Sequence, residues 1–302
     1  MSKTCFFTIV SNNYRHFART LVASVRTHNP GLDAFVAICD GPLAARDPRD
    51  DFTEIPIREL GLPQFDRFTF QYTILELNTA IKPWVIAALF ARGYERVIYF
   101  DPDIKVYGAV TPILDRLADA QIVLTPHLTG RLDDGRKPTE LQILQSGSYN
   151  LGFIALRRTD ETRRFVDWWQ GKLTRDCVVD IPRGLFTDQK WIDLVPGMYG
   201  GVAVELQRHP QHAFFFTTAQ REHPVRRNRL GAFLVFEVVG KLQRRIAALL
   251  DHRHRSSMVH LQSARRPPQG PEGRRHVSGA RGPRPGRAAA HGRARAWPAP
   301  AH

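Results

Sequence analysis

Cysteine is scarce. Cys5, Cys39 and Cys177 are the only three in 302 residues, and no two share the close spacing of a metal-binding pair. A zinc ribbon and an even-numbered disulfide framework are therefore excluded, and Cys5 and Cys39, set in apolar runs, read as buried thiols. No apolar run reaches the ~18 residues that a membrane-spanning helix needs. Neither G-x-G-x-x-G nor G-x-x-x-x-G-K-[ST] occurs, which leaves dinucleotide-binding and P-loop readings without support. The opening Met1–Val10 is soon interrupted by Ser11-Asn12-Asn13 and reads as a first strand, not as a secretory signal. A cytoplasmic location is expected, with peripheral contact at the inner face of a membrane left open.

Charge imbalance is also missing from the first two thirds of the chain. The net charge is +14, yet residues 1–200 hold 24 Lys+Arg against 24 Asp+Glu. Residues 201–264 hold 10 against 4, and residues 265–302 hold nine Arg against Glu272. The first two thirds thus carry no charge argument for nucleic acid or an anionic surface. The expected organisation is an α/β domain over 1–200, a poorly specified part over 201–264, and a disordered tail over 265–302. That tail of Arg, Pro, Gly, Ala and His cannot bury enough apolar surface to offset its ordering entropy. A reading frame shifted after about Tyr199 would produce this abrupt change. The alternative is a genuine basic tail that holds the chain on anionic lipid head groups.

What is present is a run of alternating elements. Thr4–Val10 and Ala34–Cys39 have strand composition, and Tyr14–Thr27 between them places Phe17, Leu21, Val22 and Val25 at helical spacing. This β-α-β pattern implies a parallel sheet. A short strand is expected over Ile55–Leu60, and an aromatic core cluster over Phe65–Tyr72. Thr73–Arg92 reads as helical, restarting near Lys82 because Pro83 suits a first helical turn. A helix over Val110–Ala118, a strand over Gln121–Thr125, a loop over Thr129–Thr139, a strand over Phe153–Leu156 and a helix over Thr159–Leu173 complete the patterned part. Further on, Ala213–Thr217 and Gly231–Val239 read as strands and Lys241–Leu250 as a helix.

The chemistry concentrates at Arg96-Val97-Ile98-Tyr99-Phe100-Asp101-Pro102-Asp103. A buried parallel strand runs into two carboxylates two residues apart, with Pro102 stiffening the turn. In open α/β sheets ligands bind beyond the carboxyl ends of the strands. Hard oxygen ligands there suit Mn²⁺ or Mg²⁺ carrying a diphosphate. The plain alternative is a turn that closes a strand. Lys82, in the segment leading to this strand, is placed to meet a phosphate, or else is a solvated surface Lys. Asn150 beside Gly152 offers an amide with close backbone approach, or a simple turn. Asp188 and Gln189 read either as a helix cap or as a sugar-facing carboxylate and amide.

Four of these stretches together resemble the GT-A glycosyltransferases, most of all the retaining family that includes glycogenin and bacterial lipopolysaccharide galactosyltransferases. Thr8-Ile9-Val10-Ser11-Asn12-Asn13-Tyr14 resembles that family's first-strand nucleotide loop. Lys82 with Asp101-Pro102-Asp103 resembles its Lys and D-x-D metal motif. Tyr149-Asn150-Leu151-Gly152 is similar to its Asn-Ala-Gly motif, with Leu151 in place of Ala, and Thr187-Asp188-Gln189 to its Asp-Gln motif. The match spans residues 3–197. The resemblance implies a GT-A-like, mostly parallel sheet flanked by helices, and a metal-dependent transfer of a hexose from a nucleotide-diphosphate sugar, UDP-hexose above all, to a glycan or other acceptor. It implies nucleotide contacts from Thr8, Ser11, Asn13, Tyr14 and Lys82, and metal ligation by Asp101 and Asp103. Asn150, Asp188 and Gln189 would position the sugar. The family's third metal ligand is a C-terminal His in an H-x-x-G setting, for which His260 is the candidate here, without the Gly. Two rivals stand beside this reading: a non-catalytic nucleotide-sugar-binding remnant, and a nucleic-acid-binding protein acting through the basic tail.

Overall fold

The computed structural model describes residues 3–41, 47–128, 130–131, 138–204 and 217–218. All belong to the first of two compact units, Met1–Leu250 and Asp251–His302. Strand β1 (Thr4–Val10) passes through a 3-10 turn into α1 (Arg15–His28), followed by β2 (Asp33–Ile38) and β3 (Thr53–Pro56). Helices α2 (Phe65–Phe70), α3 (Ile74–Ala80) and α4 (Lys82–Ala91) then precede β4 (Arg96–Phe100) and β5 (Ile104–Lys105). Next come α5 (Thr111–Asp119), β6 (Ile122–Pro126), α6 (Glu140–Ser146), β7 (Tyr149–Arg157) and α7 (Asp160–Leu173). The described part ends with β8 (Val179–Asp180), β9 (Leu185–Phe186), α8 (Gln189–Ile192), α9 (Val195–Met198), β10 (Val202–Val204) and β11 (Thr217–Thr218).

Seven strands form the main sheet in the order β10-β6-β7-β4-β1-β2-β3. Every pairing is parallel except those of β7, which runs antiparallel to both β4 and β6. Helices cover both faces, so the strands are apolar on both sides. Phe6, Val36, Ile98 and Phe100 pack with Leu21 and Val25 of α1 and Leu117 of α5. Phe7, Phe35, Tyr99 and Ile154 pack with Leu77, Val85, Leu89, Phe165 and Trp169 of α3, α4 and α7. The mostly parallel sheet flanked by helices that the sequence implies is therefore present.

Several boundaries differ from the sequence expectation. The strand expected over Ile55–Leu60 begins earlier, at Thr53, and stops at Pro56, while Ile57–Leu60 winds into a 3-10 turn closed by Gly61 at φ 67°. Pro56 is tolerated because β3 is an edge strand. Strand β7 starts at Tyr149, so Asn150 and Gly152 lie within a strand and not in a turn before one. Helix α6, which the sequence reading did not contain, is held by a Thr139–Gln142 capping box. In the aromatic stretch, Phe68 and Tyr72 join the core, but Phe70 is 93% exposed. Helix α3 opens with a Thr73–Glu76 capping box and α4 restarts at Lys82 with Pro83 in its first turn, as the spacing predicts. The combined stretch Ile74–Ala91 has the length and composition of a membrane span, but 61% of it is buried inside the protein. The elements expected over 213–250 lie outside the described residues, apart from Thr217–Thr218.

Candidate active site

The reversed strand β7 explains why distant motifs meet. The parallel strands β1, β4 and β6 end at one edge of the sheet, and β7 begins there. Its register places Phe153 opposite Phe100, and one step further the Asp101 N–H donates to the Gly152 carbonyl at 2.8 Å. A Cβ added to Gly152 would lie 3.0 Å from Asp101 Oδ2 and 3.0 Å from Asn150 Oδ1. Glycine is thus the residue that lets the Asp101 carboxylate and the Asn150 carboxamide share one side of β7. The Asn150 Oδ1 accepts from the Gly152 N–H at 2.9 Å, which fixes the amide's orientation.

Tyr99, on the strand itself, joins the two halves of the site. Its hydroxyl donates to Asp101 Oδ1 at 2.5 Å, and its ring lies 4.2 Å beneath the Lys82 ammonium. Lys82 is no surface residue: it is 1% exposed and donates to Asp188 Oδ2 at 2.6 Å and to the Leu151 carbonyl at 2.8 Å. Asp188 heads α8 without capping it, because its carboxylate is turned to Lys82 and to the Thr187 hydroxyl. Thr187 itself holds φ at +46°, a strained conformation for a β-branched residue, directly before that carboxylate. Gln189 spans two backbone groups, donating to the Ser146 carbonyl at 2.9 Å and accepting from the Leu151 N–H at 3.4 Å.

Electrostatically the cluster is rich in carboxylate. Burial pushes the Asp101 carboxyl above its ordinary value, opposed by Lys82 and the Tyr99 hydroxyl. Burial, with Asp101 beside it, pushes Asp103 up to about 7. Lys82, already paired with Asp188, also opposes the charge of Asp101, and Asp103 lies close enough to Asp101 to be raised by it, so the residues present fit a divalent cation at Asp101 and Asp103. Among the described residues no group of three or more His, Cys, Asp and Glu converges as a closed cage. A two-carboxylate site that leaves other positions to water and phosphate oxygens matches what Mg²⁺-type ions take. His260 lies outside the described residues.

The first-strand loop reaches the same edge because β1 lies beside β4, with Phe7 opposite Tyr99. Thr8 does not join it: β1 is covered on both faces, so its side chain is completely buried, and its hydroxyl has no hydrogen-bond partner. Ser11 donates to Asn13 Oδ1 at 2.6 Å, and Tyr14 is 39% exposed beside Phe17. Asn12 is clasped by Asp40 and Gly41, while Arg15 bonds Asp50 and Glu54. These contacts tie the loop to the segment after β2, to Asp50 and to Glu54 in β3. Of the five expected nucleotide residues, Thr8, Ser11, Asn13, Tyr14 and Lys82, only Asn13 and Tyr14 are exposed.

Sequence reasoning gave no role to Tyr99, Thr187 or His127. Tyr99 was visible two residues before Asp101, the spacing that puts both on one face of a strand. No pattern marks Thr187 or His127, since both depend on contacts made across the fold.

No protein-family model matches the chain. The chain is 27% identical over 131 residues to the uncharacterized protein YfnF of Bacillus subtilis (strain 168), a match covering 39% of this chain and 42% of that one. It is 22% identical over 212 residues to the uncharacterized protein YfnD of the same organism, covering 68% of this chain and 66% of that one. The chain thus spans less than two thirds of the length of these two curated relatives. Among solved structures it is similar to the galactosyltransferase LgtC in complex with donor and acceptor sugar analogs, with a TM-score of 0.41 and 15% identity over 67% of this chain and 72% of that one. It is similar to the apo bifunctional glycosyltransferase WbbM at a TM-score of 0.41 and 15% identity, covering 68% and 39%. Mouse xyloside xylosyltransferase 1 stands at a TM-score of 0.40 and 11% identity, covering 67% and 84%.

Proposed function

We propose that this chain is a glycosyltransferase that moves a hexose from a nucleotide-diphosphate sugar, UDP-hexose first of all, to a glycan or related acceptor in the cytoplasm. The donor diphosphate would be held through Mn²⁺ or Mg²⁺ at Asp101 and Asp103, with His260 as the proposed third ligand. One observation carries the reading: Lys82, Asp101, Asn150 and Asp188 come together at one sheet edge, although Lys82 and Asp188 are 106 residues apart.

The chemistry agrees with this arrangement. A nucleoside diphosphate leaving group gains negative charge as its bond to the sugar breaks, and a bound divalent ion would neutralise that charge. The protein's own groups prepare the place. Tyr99 fixes Asp101 Oδ1, and Asp188 behind Lys82 holds the ammonium stationary beside Asp101. Asn150 presents its amide beside Asp101. Because Asp188 and Gln189 are occupied by Lys82 and by backbone groups, they shape the sugar side through Lys82 and β7.

A thermal-shift titration with UDP, with and without Mn²⁺, tests the reading on wild type and on Asp101→Ala/Asp103→Ala. Ligand at 100 times its Kd stabilises the folded state by about 2.7 kcal/mol. Stabilisation that requires both the metal and the aspartates supports the donor site, and release of UDP from UDP-hexoses then separates an enzyme from a binding remnant. Silence with UDP, GDP and other nucleotides would sink the proposal.

A further inference from the structure

Three consecutive residues ahead of Asn150 are gripped from two sides. On one side, Gln189 takes the Ser146 carbonyl at 2.9 Å and Asp193 Oδ1 accepts the Ser148 N–H at 2.7 Å. On the other side stands His127, the residue that follows β6, which is 7% exposed. Its backbone N–H donates to the Ser148 carbonyl at 2.8 Å, and its ring Nδ1 lies 3.0 Å from the Gly147 carbonyl. A carbonyl can only accept, so the ring proton is on Nδ1. Between them Gly147 turns at φ +118°, and a Cβ there would lie 3.1 Å from Gln189 Cγ, so only glycine fits the kink. The β6–β7 ladder is irregular between Leu124 and Pro126, just before His127 takes over.

We propose that His127 is the positioning residue of the sugar-side strand: by donating from Nδ1 to the Gly147 carbonyl it sets the kink from which β7 presents Asn150 beside Asp101. The proposal rests on the glycosyltransferase reading only for what the strand is used for. The clamp itself is a property of the fold. It also has a direction in pH. Burial pushes the ring down to about 4, outweighing the opposing pull of the Gly147 carbonyl it bonds and of Asp193. Asp193 is in turn bonded to Lys190 at 2.7 Å, and Lys190 donates to the Leu144 carbonyl at 2.6 Å, so the charges facing the ring are largely balanced by each other. The ring is therefore neutral at pH 7, and charging it favours expulsion from its pocket and release of Gly147.

Two variants of the full chain test this. His127→Asn keeps a donor near the Nδ1 position without titrating, and His127→Leu removes the donor. Hydrogen–deuterium exchange at pH 7, with no nucleotide present, is expected to show residues 146–152 about tenfold faster in His127→Leu and unchanged in His127→Asn. Protection of this segment, normalised to the intrinsic rate, is expected to fall between pH 6 and 4 in wild type and to hold in His127→Asn. In steady state, His127→Leu should lower kcat/KM for the sugar donor about tenfold while leaving UDP·Mn²⁺ binding as in wild type, since UDP lacks the sugar. Unchanged exchange in His127→Leu overturns the clamp. If that variant does not fold, the pH series decides, and a wild-type-like pH response in His127→Asn overturns it. Failure of wild type to bind UDP would remove the glycosyltransferase reading and leave the exchange result standing.

Discussion

Replacing Lys82 by Met is the perturbation with the clearest expected size. Lys82 and Asp188 are 1% and 2% exposed, and their charged atoms are 2.6 Å apart. Breaking a buried ion pair by removing one partner leaves the other charge without compensation and costs about 3–5 kcal/mol. Lys82→Met also strands the Leu151 carbonyl, and it withdraws the charge that holds Asp101 down. Asp188→Asn should cost less, because Lys82 still has Asp101 nearby. Since a domain's whole stability is about 5–15 kcal/mol, Lys82→Met removes a large share of it and lowers Tm by about 10 °C. Urea unfolding of the full chain at pH 7 in EDTA, followed by circular dichroism, measures each variant and the double variant Lys82→Met/Asp188→Asn. The double variant should lose well under the sum of the singles, because it buries no unpaired Asp188. If Lys82→Met lies within about 1 kcal/mol of wild type, or the two losses simply add, the pair is not a mutually compensating unit and the reasoning fails.

Three further outcomes are expected. Tyr99→Phe keeps the ring under Lys82 but loses the hydroxyl that orients Asp101, so Mn²⁺ affinity measured by calorimetry should fall about 10–100-fold with the fold intact. Gly152→Ala puts a methyl 3.0 Å from both Asp101 Oδ2 and Asn150 Oδ1, and the same titration should show at least ~10-fold weaker Mn²⁺ binding, at a cost in stability of about 1–3 kcal/mol. For His127, whose folded-state value of about 4 lies below its ordinary 6.5, the stability contribution is full above pH 6.5 and is lost as pH falls towards 4. Urea midpoints of wild type and His127→Asn should diverge across that window, by about 3 kcal/mol in full, with the variant the flatter of the two.

Much of the architecture was legible because it obeys local rules. Alternating apolar runs gave β1, α1, β2 and β4, and Pro83 marked the restart at α4. Helical spacing gave α7, which opens with the Thr162 N–H donating to Thr159 Oγ1. Asp101 and Asp103 were legible because both carboxylates follow one strand. What could not be read was set by long-range pairing. The direction of β7 depends on β4 and β6, and nothing in Tyr149–Arg157 itself announces an antiparallel strand. Lys82 read equally well as a surface residue because its partner lies 106 residues away. Thr8 looked accessible as part of a loop motif, but both faces of a central strand are covered, so its side chain is sealed whichever way it points.

The reversed central strand also dictates an order of assembly. Strands β1 to β4 can pair among themselves as soon as they emerge from the ribosome, and domains generally fold as their chain is made. The β6–β10 pair has no such freedom, since among the described strands its link to the rest of the sheet is β7. Until Arg157 has been synthesised, β4 carries an open edge of Val97, Ile98, Tyr99 and Phe100, and an unpaired apolar edge is a template for pairing with another chain. A stalled or truncated product ending before β7 would thus be a sticky half-sheet with its Asp-Pro-Asp turn unaccompanied. Completion of one strand both covers that edge and brings Asn150 to Asp101, while Asp188, the partner that holds Lys82, is still to be made.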